Sequence, residues 1–308
     1  MPHNPFAHPL FGEVAIQIAI VLLAGLLGVV AKERRQLRTL SSSTLFLRVR
    51  SWAVIAPIFT IALFAGGFAV FLLAAFIALQ GSVEYSRLVG LQRRYTWALV
   101  VWSVVGLLVA ALAQRYFLFL PLGFFFVLTL FPILGARVTE AHQQVADALF
   151  GYIYVGLPMA YLVFIKAVEV WGLEFLLIVG LGVALSDVGA FVVGSVLKGP
   201  RLAPIVSPNK TWSGTLGNLL GAAAGVAVLK SIIPPEWTGI GIATLIVVLA
   251  IGAVWGDLTE SFVKRDFGVK DAGTLIPGFG GILDRVDSLL MALPLGYYAL
   301  LSANYWAR

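Results

Sequence analysis

The sequence predicts an all-α protein, a polytopic transmembrane helical bundle of about ten segments (nine or ten), and three observations lead there. Hydrophobic residues make up 60% of the 308, and mean hydropathy is +0.97. Charged residues make up 12%, where a soluble globular chain carries roughly 25%. The apolar residues fall into runs close to the ~20 that a bilayer-spanning helix needs, parted by short polar loops. A soluble chain of this size cannot hide so much apolar surface. An ordinary soluble enzyme, a disordered chain and a fibrous repeat are excluded. The chain has no Cys, so disulfides, thiol nucleophiles and thiolate metal sites are absent. Histidines at positions 3, 8 and 142 leave little for an imidazole metal site. Any metal is expected on oxygen ligands.

The first predicted span, 14–31, runs into Lys32, Glu33, Arg34 and Arg35, as a retained helix does at its cytoplasmic end. Met1 to Glu13 lacks a basic n-region and no A-x-A site follows the apolar run, so no cleavable signal peptide is expected. The loop 32–51, rich in Arg and Ser, sets this helix apart from the rest; its basic residues report topology and also suit an anionic leaflet. Spans 52–65 and 67–83 abut at Gly66-Gly67, and length alone allows either two crossings or one long bent helix. Further spans are expected at 96–113, 115–134, 149–168, 173–197, 212–232, 238–257 and 285–303. Charge arbitrates over 52–83. Two crossings there place the loops 32–50, 84–95, 135–148, 198–211 and 258–284 on one side. Those loops, with Arg285, hold 17 of the 21 Lys and Arg. One crossing would scatter them over both faces. The positive-inside bias therefore favours ten crossings, or a re-entrant pair at 52–83, with both termini outside the cytoplasm and the basic loops within it; the expected location is a bacterial-type inner membrane. The net charge of +6 is a topology signal and implies no nucleic-acid partner. Three regions follow: an N-terminal helix with its basic loop (1–51), a middle transmembrane bundle (52–148) and a C-terminal catalytic transmembrane domain (149–308).

The polar residues are not spread evenly. Six of the fifteen acids fall between Asp257 and Asp287, namely Asp257, Glu260, Asp266, Asp271, Asp284 and Asp287. Lys264, Arg265, Lys270 and Arg285 lie among them, with the run Pro277-Gly278-Phe279-Gly280-Gly281. A solvated loop accounts for Lys264 to Asp271 but not for the two ends. Asp257 closes an apolar helix, while Asp284 and Asp287 open the last one, three residues apart and so on one face. One such carboxylate would be an ordinary cap. Two on a face, at membrane depth, read as a site. Asp257, Asp284 and Asp287 are the expected oxygen ligands of Mg²⁺, which takes one or two carboxylates together with substrate phosphates. Gly278, Gly280 and Gly281 let backbone N–H groups approach a phosphate just before a helix N-terminus. A second cluster has Asp187 inside an apolar stretch, then Lys198 to Arg201, then Ser207-Pro208-Asn209-Lys210-Thr211-Trp212. Capping by Ser207 or Asn209 and the topology role of Lys210 explain its parts singly. Its position on the same face as the acidic cluster suggests phosphoryl or nucleotidyl transfer, where cations neutralise the developing charge. Glu84-Tyr85, with Arg87, Arg93 and Arg94, reads as interfacial, and a supporting site role stays open. His142 reads as solvated. Trp52, Trp97, Trp171, Trp237 and Trp306 fall where an aromatic belt would place them.

These residues resemble a known signature. Ser261 to Arg265, then Lys270-Asp271, then Pro277 through Gly278, Gly280, Gly281, Asp284, Arg285 and Asp287 to Ser288 closely resemble that of the phosphatidate cytidylyltransferases, or CDP-diacylglycerol synthases. Gly256 to Ser261 is similar to the stretch preceding it. Asp187, Ala190, Gly194 and Val206 to Trp212 resemble the family's second motif. The likeness is strong from about 187 to 294, extends back to Glu84, and is not claimed for 1–60. It implies a polytopic, homodimeric enzyme working at the cytoplasmic side of the membrane, with membrane lipids around it. Such enzymes join CTP and phosphatidate into CDP-diacylglycerol and pyrophosphate with Mg²⁺ and, in some members, a monovalent cation such as K⁺. By motif, Asp257, Asp284 and Asp287 would hold metal. Lys210, Lys264, Arg265 and Lys270 would hold phosphates, helped by Ser207 and Thr211, with Asp187, Asn209, Asp271, Gly278, Gly280, Gly281 and Arg285 lining the substrate site. Three positions depart from the pattern: Phe279 stands where His is usual, Ser213 where Glu is usual, and Phe191 where Tyr is common. Each removes a polar group from the expected pocket. A paralogue for another lipid phosphate, a CTP-dependent lipid-alcohol kinase, an ion-coupled transporter and a non-catalytic binder are the alternatives.

Overall fold

The computed structural model describes residues 4–34, 43–135, 138–269, 272–273 and 280–306. Lys270, Asp271, Gly278 and Phe279, all singled out by sequence, lie outside the described residues. Helix α1 spans Phe11–Lys32, α2 Thr44–Ala65, α3 Gly67–Leu88 and α4 Arg93–Leu112. A 3₁₀ segment, Gln114–Phe119, leads into α5, Leu120–Leu134. Helices α6 (Ala141–Gly151) and α7 (Leu157–Lys166) run together through a π-helical turn at Tyr152–Gly156. The rest are α8 (Gly172–Leu197), α9 (Trp212–Val228), α10 (Gly239–Asp266) and α11 (Leu283–Trp306). Among the described residues, eight helical stretches are long and apolar enough to cross a membrane. The other two predicted segments are helical as well: α9, of 17 residues, and α11, which opens on charged residues.

The all-α, polytopic expectation holds, and its boundaries shift for identifiable reasons. The stretch 52–83 is two helices that part at Gly66, whose φ of +103° and ψ of −179° suit only glycine. Helix α2 begins eight residues before the predicted 52, because Arg48 and Arg50 occupy its first turns and read as loop. Helix α10 does not stop at 257 but continues to Asp266. Glu260, Ser261 and Lys264 therefore share a helical face with Asp257 instead of lying in a loop. The loop after α8 holds an antiparallel hairpin that the sequence did not suggest. Its strands, β1 (Arg201–Ala203) and β2 (Ser207–Thr211), pair Arg201 with Thr211 and Ala203 with Ser207. Thr211 then caps α9, its Oγ1 accepting from Gly214 N at 3.1 Å.

Lipid supplies little hydrophobic drive between helices, so close packing by small residues holds a membrane bundle together. Two antiparallel pairs show it. In α8–α9, Gly189 lies backbone to backbone against Gly217, Gly221 against Leu185, and a Cβ on Gly225 would come within 2.6 Å of Gly182 Cα. In α10–α11, a Cβ on Gly252 would come within 2.8 Å of Ala292 Cα, and Gly256 lies against the backbone of Asp287. Helix α7 is apolar all round and sits at the centre, with Met159, Ala160, Leu162 and Ile165 fully buried. One end of the bundle is closed by aromatics, where the Tyr161 hydroxyl donates to Tyr298 at 2.8 Å and Trp171 meets Trp237 edge-on. The polar residues gather at the opposite end.

Candidate active site

The polar end is built from the C-terminal turns of α3, α8 and α10, the N-terminus of α11, and β2. On α10, Asp257 pairs with Lys210 of β2, Oδ2 to Nζ at 2.6 Å, and its Oδ1 accepts from Ser261 Oγ at 3.2 Å. One and two turns on, Lys264 Nζ is held between Glu260 Oε2 at 2.6 Å and Asp284 Oδ1 at 2.7 Å. The second oxygen of Asp284 accepts from Gly281 N at 2.7 Å and Ala272 N at 3.1 Å. Gly280, with φ of +82°, lies against that carboxylate. Asp287 follows one turn later. Its Oδ1 accepts from Ser288 N at 2.8 Å, and Glu260, Asp257 and Asp187 are within electrostatic reach. The Ser288 hydroxyl donates to Asp187 Oδ1 at 3.2 Å, which ties α11 to α8. Buried Tyr154 donates to Gly256 O at 3.3 Å and lies within reach of Asp287, Glu260, Asp257 and Asp284. Asn218 donates to Ser186 Oγ at 2.9 Å and completes the buried polar layer beneath.

Of the residues predicted from sequence, Asp187, Asp257, Asp284, Asp287, Lys210, Lys264, Gly280 and Gly281 come together here. Thr211 and Ser207 border the group on β2, Thr211 as the α9 cap. Arg285 is half-buried in the first turn of α11. Arg265 and Asn209 are exposed, and neither joins the ion pairs above. Among the departures from the signature, Ser213 is hydrogen-bonded to Thr211 Oγ1 at 3.0 Å and to the Lys198 carbonyl. Phe191 lies beneath Lys32, with Nζ 5.2 Å from the ring centroid.

Two acidic residues matter more than their sequence contexts suggested. Glu260, buried, holds Lys264 in place. Glu84 of α3, 3% exposed, accepts from the backbone N–H of Ile282 at 3.1 Å and Leu283 at 3.0 Å, and from Gln80 Nε2 at 3.0 Å. An acid between Ser82 and Tyr85, near a helix end, carries no sequence signal of that reach.

Every anionic donor in the group is a carboxylate oxygen, which suits a hard divalent cation. Glu260 Oε1 is buried with no hydrogen-bond partner. Among the described residues, no three His, Cys, Asp or Glu side chains form a ready metal shell. The donor set fits an ion that takes one or two carboxylates and completes its shell with water and substrate phosphates, as Mg²⁺ does.

The decisive comparison is with a family model, that of the cytidylyltransferase family, which matches residues 46–303. The chain belongs to the cytidylyltransferase family. The match runs from the start of α2 nearly to the end of α11, so it takes in both the α3 and the α8–α11 parts of the site. This family member is similar to the phosphatidate cytidylyltransferase of Brucella suis, 42% identical over 149 residues, which covers 48% of this chain and 54% of that protein. The phosphatidate cytidylyltransferase of Staphylococcus haemolyticus is 37% identical over 153 residues, 50% of this chain and 58% of that protein. The chain thus matches somewhat over half the length of these curated relatives.

Proposed function

We propose that the protein is a membrane nucleotidyltransferase making CDP-diacylglycerol and pyrophosphate from CTP and phosphatidate. The observation that carries this reading is the placement of Lys210 and Lys264 among the carboxylates of Asp257, Glu260 and Asp284 at one end of the bundle. The relatives' names supply the reaction. An oxygen of the lipid phosphate attacks the α-phosphorus of CTP. A new P–O bond forms, the bond from the α-phosphorus to the α–β bridging oxygen breaks, and pyrophosphate leaves. Lys210 and Lys264 each carry an ammonium that could exchange a carboxylate for a phosphate oxygen and offset the charge that develops there. The backbone at Gly280 lies beside the N-terminus of α11, where the helix dipole favours phosphate, while the Gly281 N–H serves Asp284 Oδ2. Of Asp257, Asp284 and Asp287, one or two together with substrate phosphates would hold Mg²⁺, which when bound would neutralise phosphate charge and polarise the reacting phosphoryl group. A monovalent cation such as K⁺ beside it, a homodimer, an inner-membrane location, a site facing the cytoplasm and termini on the far side belong to the same proposal.

The test is a product assay. Purified protein with CTP, Mg²⁺ and phosphatidate is expected to release CDP-diacylglycerol and pyrophosphate in equal amounts. CDP in place of pyrophosphate would identify a lipid-alcohol kinase. Binding of CTP by folded protein, without product from any lipid phosphate, would overturn the proposal in favour of a non-catalytic binder.

A further inference from the structure

We infer that Glu84 is the positioning residue that keeps Asp284 from being drawn further onto the N-terminus of α11 and so in place for the site, an inference that rests on the nucleotidyl-transfer reading above. A helix N-terminus leaves N–H groups without intrahelical partners, and a side chain just ahead of the helix usually takes them. Ahead of α11 stand Gly280, Gly281 and Ile282, which have no side-chain oxygen to offer. The cap comes instead from α3, 199 positions away in the chain, through the two oxygens of Glu84. The fit is close: a Cβ on Gly281 would strike that carboxylate, and one on Gly273 would come within 2.8 Å of its Cδ. Among the described residues no Lys or Arg pairs with Glu84. Two backbone donors, the Gln80 amide and the positive end of the α11 dipole balance its charge.

The consequence falls on Asp284. Its Oδ2 already accepts from Gly281 N, one position before the donors that Glu84 holds. Remove the Glu84 carboxylate, and the N–H groups of Ile282 and Leu283 lose their acceptor next to a Gly281 N–H that already holds Asp284. The competition draws Asp284 from Lys264 and from any cation.

Two readouts test this, and the absence of Cys from the chain makes the first clean. Leu283, 1% exposed, is replaced in Leu283→Cys, and maleimide labelling then reports opening of the first turn of α11. Adding Glu84→Gln is expected to speed labelling about tenfold, as the loss of a charge-assisted cap would. In the second readout, Glu84→Gln in the otherwise unchanged protein raises the half-saturating Mg²⁺ concentration about tenfold, with the KM for phosphatidate unchanged. If Glu84→Gln does not fold, Glu84→Asp carries both comparisons. Unchanged labelling and unchanged Mg²⁺ dependence overturn the inference, even where the amount of active protein falls. Labelling needs no turnover, so it decides the role of Glu84 even if the parent protein makes no CDP-diacylglycerol and the proposed function fails.

Discussion

Asp284 and Lys264 show what single residues contribute at the polar end. Asp284 meets both a side-chain cation and two backbone donors, so its charge and not merely its shape is in use. Asp284→Asn is expected to lower turnover by about a hundredfold or more with the fold retained, measured as CDP-diacylglycerol formation beside the melting temperature. Lys264 serves two carboxylates, one of them nearly inaccessible. Lys264→Met strands both charges, and removal of one partner from a buried pair costs about 3–5 kcal/mol. Thermal unfolding should show that loss, and Glu260→Gln added to Lys264→Met should restore part of it. A double variant no more stable than Lys264→Met would show that Glu260 is not the group that Lys264 neutralises. The site was partly legible at this scale. Asp257, Asp284, Asp287, Lys210 and Lys264 stood out because charge is scarce in this chain. Glu84 did not, because its partners are backbone N–H groups on another helix, and backbone donors leave no trace in the side-chain sequence.

The elements depend on where a backbone can approach another backbone. Gly214, Gly217, Gly221 and Gly225 recur at intervals of three and four along α9, which puts them on the side facing α8. Gly221→Leu must push α8 away, since even a Cβ there meets the Leu185 carbonyl. A fall in melting temperature equivalent to several kcal/mol is expected in detergent, together with loss of activity, because Asp187 and β2 ride on the same pair. Gly12→Ala, in a helical position open to its surroundings, should be neutral or mildly stabilising, by up to about 1 kcal/mol. Equal effects from the two variants would contradict a packed seam. Runs of apolar residues revealed the helices themselves. They concealed the seam, since a glycine in an apolar stretch looks the same whether it faces lipid or a neighbouring helix. They also concealed the last turns of α10, because Glu260, Lys264 and Arg265 give a membrane helix the composition of a loop.

For the whole molecule, topology is the property most open to direct test. The pairing of helix ends puts Lys32, Glu84, Gln144, Lys210 and Asp284 toward one end, and Gln17, Ser231, Trp171 and Tyr298 toward the other. Single-cysteine variants in this Cys-free chain map the two ends. Ser43→Cys and His142→Cys are expected to react with an impermeant maleimide only from the cytoplasmic side, and Glu169→Cys and Ser231→Cys only from the opposite side. Mixed labelling within either pair would refute the proposed orientation. The ten-segment pattern was legible because lipid imposes one length on every crossing. How the segments neighbour one another was not, since that depends on surfaces the chain brings together from distant positions.

The Lys210–Asp257 and Lys264–Glu260–Asp284 contacts have a consequence for the working cycle. Lys210 and Lys264, proposed partners of phosphate, are already matched with Asp257 and Asp284, proposed ligands of metal. Under the proposed reaction, loading the site would be an exchange of partners and not an accumulation of charge: the incoming salt of nucleotide and metal would replace an internal salt of lysine and carboxylate. In the low-dielectric end of the bundle, where unbalanced charge is costly, each ammonium would thus keep an anionic partner throughout the proposed cycle. On that reaction, the lysines and carboxylates could return to one another as pyrophosphate departs, so that the protein would supply its own counterions for the release of product.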